Sequence, residues 1–267
     1  MNIYKVLNEI IEYIEANLEE EIDYTIIARI MGVNEYTAKR VFSLLANISI
    51  AEYIRNRRLS NAGFDLFKEN EKIIDIAIKY KYDNATSFSR AFEKFHGIKP
   101  SLVKINPEKL RVFSKLKFDE DINENVSMEY SIINLDEKIL YGVGMKTTHA
   151  EIKKDAPMFF KKMSEKYEKI YGEIEYGMVK YEDRFDSNDY EYWIAYEKEI
   201  HEFEKIVLPK SKWLRFKINN QEPEDIQKIS TEFYRNFVPS SKYNLKPIPE
   251  LEWYHNDITE FLVAIED

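Results

Sequence analysis

Residues 73–100, IIDIAIKYKYDNATSFSRAFEKFHGIKP, constrain the fold of this chain more than any other stretch. A short apolar-periodic helix is predicted from Ile73, and the pattern breaks at Tyr80-Lys81-Tyr82. Asp83 stands at the break, where its carboxylate can cap the next helix. That helix carries an apolar stripe at i, i+3, i+4 and i+7, formed by Phe88, Ala91, Phe92 and Phe95. A short helix, a turn and a second helix with a polar front are typical of a helix-turn-helix DNA reader.

The second helix and the residues after it contain Phe-x-Arg-Ala-Phe-x-x-x-x-Gly-x-x-Pro, within residues 87–100. This arrangement resembles the signature at the end of the DNA-binding domain of AraC/XylS-family transcription regulators. One position departs from the family, because the turn carries Lys81 where the family usually has Gly. A lysine at positive φ costs roughly 1 kcal/mol. We therefore expect the turn to differ slightly from that of the family.

The same unit occurs earlier in the chain. Asp23 and Asn34 are predicted to cap two helices that Gly32 separates. Arg40 stands two residues before a phenylalanine in this unit, as Arg90 does in the later one. A long helix that starts near Ser49 joins the two units. The resemblance implies tandem helix-turn-helix units whose reading helices enter successive major grooves, about 34 Å apart. A monomer would then suffice to read two half-sites.

The resemblance places the DNA contacts on the polar faces of the two reading helices. Arginine could pair with both acceptors of guanine. Each of these residues has the alternative of being an ordinary surface residue. Three further arginines, Arg55, Arg57 and Arg58, could pair with carboxylates as well as with phosphates. The candidate DNA-binding residues are Tyr36, Thr37, Lys39, Arg40, Asn84, Ala85, Thr86, Ser89 and Arg90.

The charge distribution is compatible with DNA binding although the net charge is −9. Residues 24–105 contain 14 basic and 8 acidic residues, so the basic excess coincides with the predicted reading helices. Phosphate neutralisation needs only a local basic face. The chain has no cysteine and four scattered histidines, which predicts no metal site and no cofactor. Without an apolar run of about 20 residues or a leader pattern, we expect a cytoplasmic protein.

The chain is expected to fold as a multidomain α and α+β protein. Residues 1–105 form the all-α DNA-binding domain, residues 106–125 a linker that allows a short helix near 109–116, and residues 126–267 an α+β domain. Pro157 and Pro223 stand near the starts of two helices in corresponding positions, which indicates a duplicated strand-strand-helix-strand-strand unit packed around a pseudo-two-fold axis. Strands are predicted at 126–133, 139–145, 176–181, 190–196, 205–208, 212–218, 250–255 and 261–265, and helices at 157–170 and 223–237.

This second layout resembles the GyrI-like effector-binding domain, through the segments MEYSIINL, KILYGVG, LPKSKWLRF and PELEWY. One departure is Ser211-Lys212 before Trp213, where the family usually has Gly or Ala. The resemblance implies that Glu252 sits in the pocket between the two halves and meets the positive charge of a ligand.

The residue types agree with such a pocket, since aromatic faces and a partly desolvated carboxylate suit flat lipophilic cations. Strand alternation puts Glu252 and Tyr254 on one face, and Leu251 and Trp253 on the other. The competing interpretation is that the aromatic residues simply fill a β-sheet core. The candidate effector-binding residues are Glu252, Tyr254, Tyr141, Trp193 and Trp213.

The sequence therefore predicts a regulator that binds double-stranded promoter DNA and a small hydrophobic effector that can be cationic. RNA polymerase is a further expected partner, and no enzymatic activity is expected. One alternative makes the second domain a small-molecule hydrolase with Glu252 as general base, assisted by Tyr141 or Tyr254. The other makes it a module that binds a protein partner. Turnover of a ligand would favour the hydrolase. A second domain that is well packed and has no cavity would favour the protein-partner module.

Overall fold

The computed structural model describes residues 2–68, 71–118, 128–182, 190–218, 222–241, 243–255 and 258–266. The chain divides into two compact units. The helical unit contains Asn2–Ile30 and Ile50–Asp121, and the sheet unit contains Met31–Ser49 and Ile122–Asp267. The first predicted reading helix thus groups with the sheet and not with the other helices.

Three of the first six helices are preceded by an asparagine whose side chain accepts hydrogen bonds from free backbone N–H groups. Asn2 accepts a hydrogen bond from the N–H of Tyr4, and Asn34 accepts one from the N–H of Thr37 at 2.8 Å. The helices are α1 (Ile3–Ala16), α2 (Tyr24–Met31), α3 (Glu35–Ala46), α4 (Ile50–Lys68), α5 (Ile73–Lys79) and α6 (Ala85–His96).

The turn between α5 and α6 corrects two predictions. Asn84, and not Asp83, caps α6: its side-chain oxygen accepts hydrogen bonds from the N–H groups of Thr86 at 3.1 Å and Ser87 at 2.8 Å. Lys81 has a φ of 64°, so the turn keeps a left-handed residue at the position where a glycine was expected. The Lys81 ammonium lies 3.3 Å from Glu20. The lysine therefore adopts the strained conformation and the turn does not change around it.

The core of the helical unit follows the predicted stripe. Phe88 and Phe92 are fully buried, and their rings lie 5.5 Å apart. His96 continues the stripe, with its ring 4.1 Å from that of Phe92. Its Nδ1 accepts a hydrogen bond from the N–H of Arg111 at 3.0 Å, and its Nε2 lies 3.0 Å from the carbonyl of Leu59. Because Nδ1 accepts, Nε2 carries the proton and the imidazole is neutral.

The segment after α6 is tied to the helical unit over residues 107–118. Asn8 of α1 donates to the carbonyl of Phe118 and accepts from its N–H, at 2.8 and 2.9 Å. Ser60 of α4 accepts from the N–H of Phe113 at 3.1 Å. Residues 107–109 form a 3₁₀ turn, and residues 110–118 are not helical. The predicted short helix near 109–116 is therefore wrong, since its backbone N–H groups bind side chains of α4 and α6 instead.

The arginines of α4 form contacts inside the helical unit. Arg57 forms an ion pair with Glu15 at 2.8 Å, and Arg55 pairs with Glu52 at 3.2 Å. Arg58 donates to the carbonyls of Leu18 and Glu20. For Arg55 and Arg57 the carboxylate alternative is thus the observed one.

The sheet unit contains an eight-stranded antiparallel sheet within the described residues, in the order β1-β6-β8-β7-β3-β4-β2-β5. Its elements in chain order are β1 (Ser131–Leu135), β2 (Lys138–Thr147), α7 (Ile152–Tyr171), β3 (Tyr176–Tyr181), β4 (Tyr190–Tyr196), β5 (Glu204–Leu208), β6 (Ser211–Ile218), α8 (Pro223–Glu232), β7 (Glu250–His255) and β8 (Ile258–Ile265). A π-helical turn, Phe233–Phe237, continues α8. Part of the first predicted strand, 126–127, lies outside the described residues.

The predicted duplication is confirmed by the strand order, which matches strand for strand when it is read from either end. The first repeat runs from β1 to β4 and the second from β5 to β8. The first strand of each repeat pairs with the second strand of the other, β1 with β6 and β5 with β2. The repeats also pair with each other at the centre of the sheet, where β3 lies beside β7. Pro223 is the first residue of α8 as predicted, but Pro157 lies inside α7, which begins at Ile152.

The two faces of the sheet have different partners. Leu251 packs on one face in a core with Trp213 and with the half-buried Trp253. On the other face, Tyr254 meets Phe160 of α7, with ring centroids 5.2 Å apart. The predicted alternation along β7 is therefore correct. No helix in the described part of the chain is long and apolar enough to cross a bilayer.

Candidate functional site

A cavity of about 880 Å³ lies between α7 and α8 in the sheet unit. Side chains of β3, β4, β7 and β8 also line it, and α3 contributes to its wall. Several hundred Å³ is the usual size of a small-molecule site. The residues that matter most below are Arg40, Phe160, Tyr190, Tyr192, Glu250, Glu252 and Tyr254.

Glu252 is held by two tyrosine hydroxyls. Tyr254 Oη donates to Glu252 Oε2 at 2.6 Å, and Tyr192 Oη donates to the same oxygen at 2.9 Å. Gly177 of β3 pairs directly with Glu252 across the strands. A Cβ at Gly177 would lie 2.3 Å from Oε2, so the glycine provides the space that the carboxylate occupies.

The surroundings of Glu252 favour its neutral form. Burial raises the pKa of Glu252, the hydroxyls of Tyr254 and Tyr192 oppose this, and the charge of Glu250 raises it further. None of the described basic side chains forms a salt bridge with Glu252. A cation entering the cavity would therefore meet a carboxylate that has no basic partner among the described residues.

A second carboxylate, Glu250, is two residues earlier on the same face of β7. It already has a positively charged partner, Arg40. Arg40 Nε donates to Glu250 Oε1 at 2.7 Å, and both residues are buried, with exposures of 2% and 4%. Tyr234 Oη also donates to Glu250 Oε1. Arg40 Nη1 donates to the hydroxyl of Tyr190. Burial would lower the pKa of Arg40, but the Glu250 carboxylate raises it well above its ordinary value, so the guanidinium stays charged.

Three tyrosine rings complete the surroundings of this guanidinium. Its Cζ lies 4.8 Å from the ring centroid of Tyr234, 4.9 Å from that of Tyr190 and 5.2 Å from that of Tyr181. These distances are within the range of cation–π attraction. We call Glu250 with Tyr181, Tyr190 and Tyr234 the arginine cage.

The structure brings together only part of the predicted effector site. Glu252 and Tyr254 line the cavity, whereas Tyr141, Trp193 and Trp213 do not. Trp213 is 1% exposed on the opposite face of the sheet. Trp193 covers Gly144 of the neighbouring strand and donates to Glu191 at 3.2 Å. These aromatic residues follow the alternative interpretation, in which they fill the core.

Four residues of the site were missed in the sequence: Phe160, Tyr190, Tyr192 and Glu250. Strand alternation along PELEWY contains the signal for Glu250, because it stands two residues before Glu252 and must share its face. Tyr192 could not be chosen among the many tyrosines without the register that aligns β4, β3 and β7.

The predicted DNA-binding residues of α3 are largely packed inside the sheet unit. Thr37 is fully buried, and its Oγ1 accepts a hydrogen bond from the N–H of Leu245 at 2.9 Å. Arg40 lies in the arginine cage. Tyr36 is half-buried, with its ring 6.4 Å from that of Tyr181, and Lys39 lies 4.0 Å from Glu35.

The predicted DNA-binding residues of α6 are more accessible. Thr86 and Arg90 are exposed, while Ala85 and Ser89 are half-buried. The exposed Asn84 uses its side-chain oxygen as the helix cap. The roles of both sets of residues in DNA binding stay predictions.

Two parts of the chain match known families. Residues 27–104 match the family described as "Helix-turn-helix domain". Residues 131–266 match the family described as "Integron-associated effector binding protein", which is half of the chain.

Individual proteins are similar to parts of the chain. Over 101 residues the chain is 36% identical to the HTH-type transcriptional activator AarP of Providencia stuartii, covering 38% of this chain and 75% of that protein. It is 33% identical over 96 residues to the HTH-type transcriptional regulator YbfP of Bacillus subtilis, covering 36% of this chain and 32% of that protein. The structure of SAV2435 bound to tetraphenylphosphonium matches with a TM-score of 0.44 and 18% identity, covering 52% of this chain and 94% of that chain. The chain therefore belongs to the AraC-type helix-turn-helix transcription regulators and carries a C-terminal domain of the integron-associated effector binding family.

Proposed function

We propose that this regulator responds to a lipophilic aromatic cation that binds in the cavity between α7 and α8, with Glu252 as its counter-charge. In this proposal α6 and α3 read promoter DNA in the cytoplasm, and RNA polymerase is a further partner. The observation that supports it most is the carboxylate of Glu252, which is half-buried in the cavity wall, held by two hydroxyls and without a basic partner among the described residues.

The energetics favour a cation over a neutral ligand of the same shape. Folding partly buries Glu252 without giving it a positive partner among the described residues, and a cation in the cavity supplies that partner. Both hydroxyl donors bind Oε2, and no described residue donates a hydrogen bond to Oε1, so Oε1 can face the ligand. The rings of Tyr192, Tyr254 and Phe160 offer aromatic surface at the same place.

The test uses intrinsic fluorescence, since all three tryptophans belong to the sheet unit. Tetraphenylphosphonium and the neutral triphenylphosphine oxide are titrated into the wild type, into Glu252→Gln and into Glu204→Gln. Glu204 is an exposed carboxylate of β5 that does not line the cavity, so this variant is the matched control. Loss of a desolvated charged partner costs about 1–3 kcal/mol, so we expect about 5- to 150-fold weaker cation binding for Glu252→Gln alone.

Other outcomes select other functions. Equal affinity for the cation and the neutral compound would retain the cavity but remove Glu252 from the ligand. Chemically altered ligand, detected by mass spectrometry after incubation, would favour a hydrolase with Glu252 as general base. The absence of saturable binding by either compound would refute the proposal.

A further inference from the structure

The arginine cage has the composition of a ligand site, although a residue of the chain fills it. It combines one buried carboxylate, three tyrosine rings and two tyrosine hydroxyls around a single guanidinium. Arg40, Tyr190 and Glu250 also line the cavity that contains Glu252. The cage is therefore continuous with the candidate effector site and opens onto it.

We propose that the arginine cage is a second cation subsite of this cavity, selective for a planar guanidinium or amidinium group, and that Arg40 is its tethered ligand. This inference extends the proposed function, because it assigns a second subsite to the same cavity. When Arg40 leaves the cage, the subsite takes a free arylamidine or alkylguanidinium in its place.

The geometry explains the selectivity for a planar cation. The guanidinium directs Nε to Glu250 and Nη1 to Tyr190 at the same time, which requires a rigid fork of N–H donors. The three tyrosine rings lie at similar distances from its central carbon. An ammonium group lacks both the fork and the flat surface, and it is more strongly hydrated.

The tethered ligand also fixes α3. Besides Arg40, Asn34 at the start of α3 donates to the carbonyl of Leu245 at 2.9 Å and to Glu266 at 2.8 Å. Thr37 accepts from the N–H of Leu245. The face of α3 that was predicted to read DNA is thus the face that the sheet unit holds. Occupation of the cage by a free ligand and occupation by Arg40 exclude each other, so such a ligand favours the arrangement in which Arg40 is released.

The cage is also close to Glu252. The two carboxylates are separated by one residue along β7, a distance of about 7 Å for extended backbone. An aromatic amidine can therefore place its charged group in the cage while its ring lies near Glu252. A ligand of this kind would pair its charge with Glu250, whereas tetraphenylphosphonium, which has no N–H donor, would use only the Glu252 side.

The experiment is a chemical rescue of the full-length chain. Arg40→Ala and Arg40→Ala/Glu250→Gln are heated with increasing ethylguanidinium, and with ethylammonium as the matched cation. The thermal midpoint of the sheet unit is followed by tryptophan fluorescence. We expect ethylguanidinium to raise the midpoint of Arg40→Ala in a saturable manner, and ethylammonium to leave it unchanged. The double variant should show no rescue, because it lacks the carboxylate charge of the cage. The wild type should show none, because Arg40 already fills the cage.

Rescue of the double variant to the same extent, or equal rescue by both cations, would overturn the proposal. If Arg40→Ala does not fold, Arg40→Lys gives the decisive measurement. It keeps the charge, and a midpoint equal to that of the wild type would show that the cage does not select a guanidinium. The outcome is separate from that of the Glu252 titration. Lost phosphonium binding with intact rescue would refute the proposed effector alone, and the reverse would refute the second subsite alone.

Discussion

Gly177→Ala provides a sharp test of the Glu252 site, because it adds one methyl group at a defined distance from the carboxylate. The new Cβ would lie 2.3 Å from Glu252 Oε2 and 2.6 Å from Tyr192 Oη. Gly177 does not have a positive φ, so the backbone itself accepts alanine. The consequence of the substitution is therefore confined to the space between β3 and β7.

The expected magnitude follows from these distances. To reach ordinary contact, Oε2 must retreat by about 1 Å, which lengthens its hydrogen bonds to Tyr192 and Tyr254 beyond effective range. Overpacking of this kind costs about 1–3 kcal/mol, and the loss of backbone freedom in the unfolded alanine chain offsets about 0.4–1 kcal/mol. We expect a net loss of about 1–2 kcal/mol in unfolding free energy. A similar loss in binding would weaken tetraphenylphosphonium by about 5- to 30-fold.

The assay compares four proteins by urea unfolding and by phosphonium titration: wild type, Gly177→Ala, Glu252→Ala and the double variant. If the methyl group acts through the carboxylate, it should cost much less in the Glu252→Ala background, and the two substitutions will not be additive. Wild-type stability and affinity for Gly177→Ala would refute the reasoning. Additive costs would show that the methyl group acts elsewhere.

Three further predictions concern separate parts of the chain. Because burial raises the pKa of Glu252, phosphonium affinity should fall as the pH is lowered, starting above the range of an exposed glutamate, and titrations between about pH 5 and 8 will show this. Burial lowers the pKa of His96, so the folded chain binds fewer protons than the unfolded chain below about pH 6.5, and urea unfolding should show stability lost as the pH falls through that value. Arg90 is exposed on α6, so Arg90→Ala should weaken binding to a selected operator by about 5- to 150-fold without changing the unfolding midpoint, as fluorescence anisotropy and thermal unfolding can measure.

Local rules predicted much of the architecture. The helical stripes and the caps at Asp23 and Asn34 depend on neighbouring residues, and they were read correctly. The period of two along β7 placed Glu252 and Tyr254 on one face for the same reason. The duplication was visible because both repeats carry the same order of elements.

Long-range pairing explains what the sequence did not reveal. Trp213 resembles a pocket residue in its own segment, but the pairing of β6 with β1 and β8 points it into the core on the opposite face. Arg40 is separated from Glu250 by 210 residues, and nothing near either residue indicates the partner. The choice between Asp83 and Asn84 as the cap of α6 depended on a shift of one residue, which adjacent cap-forming side chains do not resolve.

The separation of 210 residues between Arg40 and Glu250 has a consequence for synthesis of the protein. All of the residues in the helical unit, together with α3, leave the ribosome before β7 does. Until β7 emerges, Arg40 lacks the Glu250 carboxylate with which it pairs. Likewise, β1 and β2 lack β6 and β5, the partner strands that the second repeat supplies. The helical unit can therefore fold early, whereas the sheet unit and its contacts with α3 are completed only after β7 and β8 have emerged.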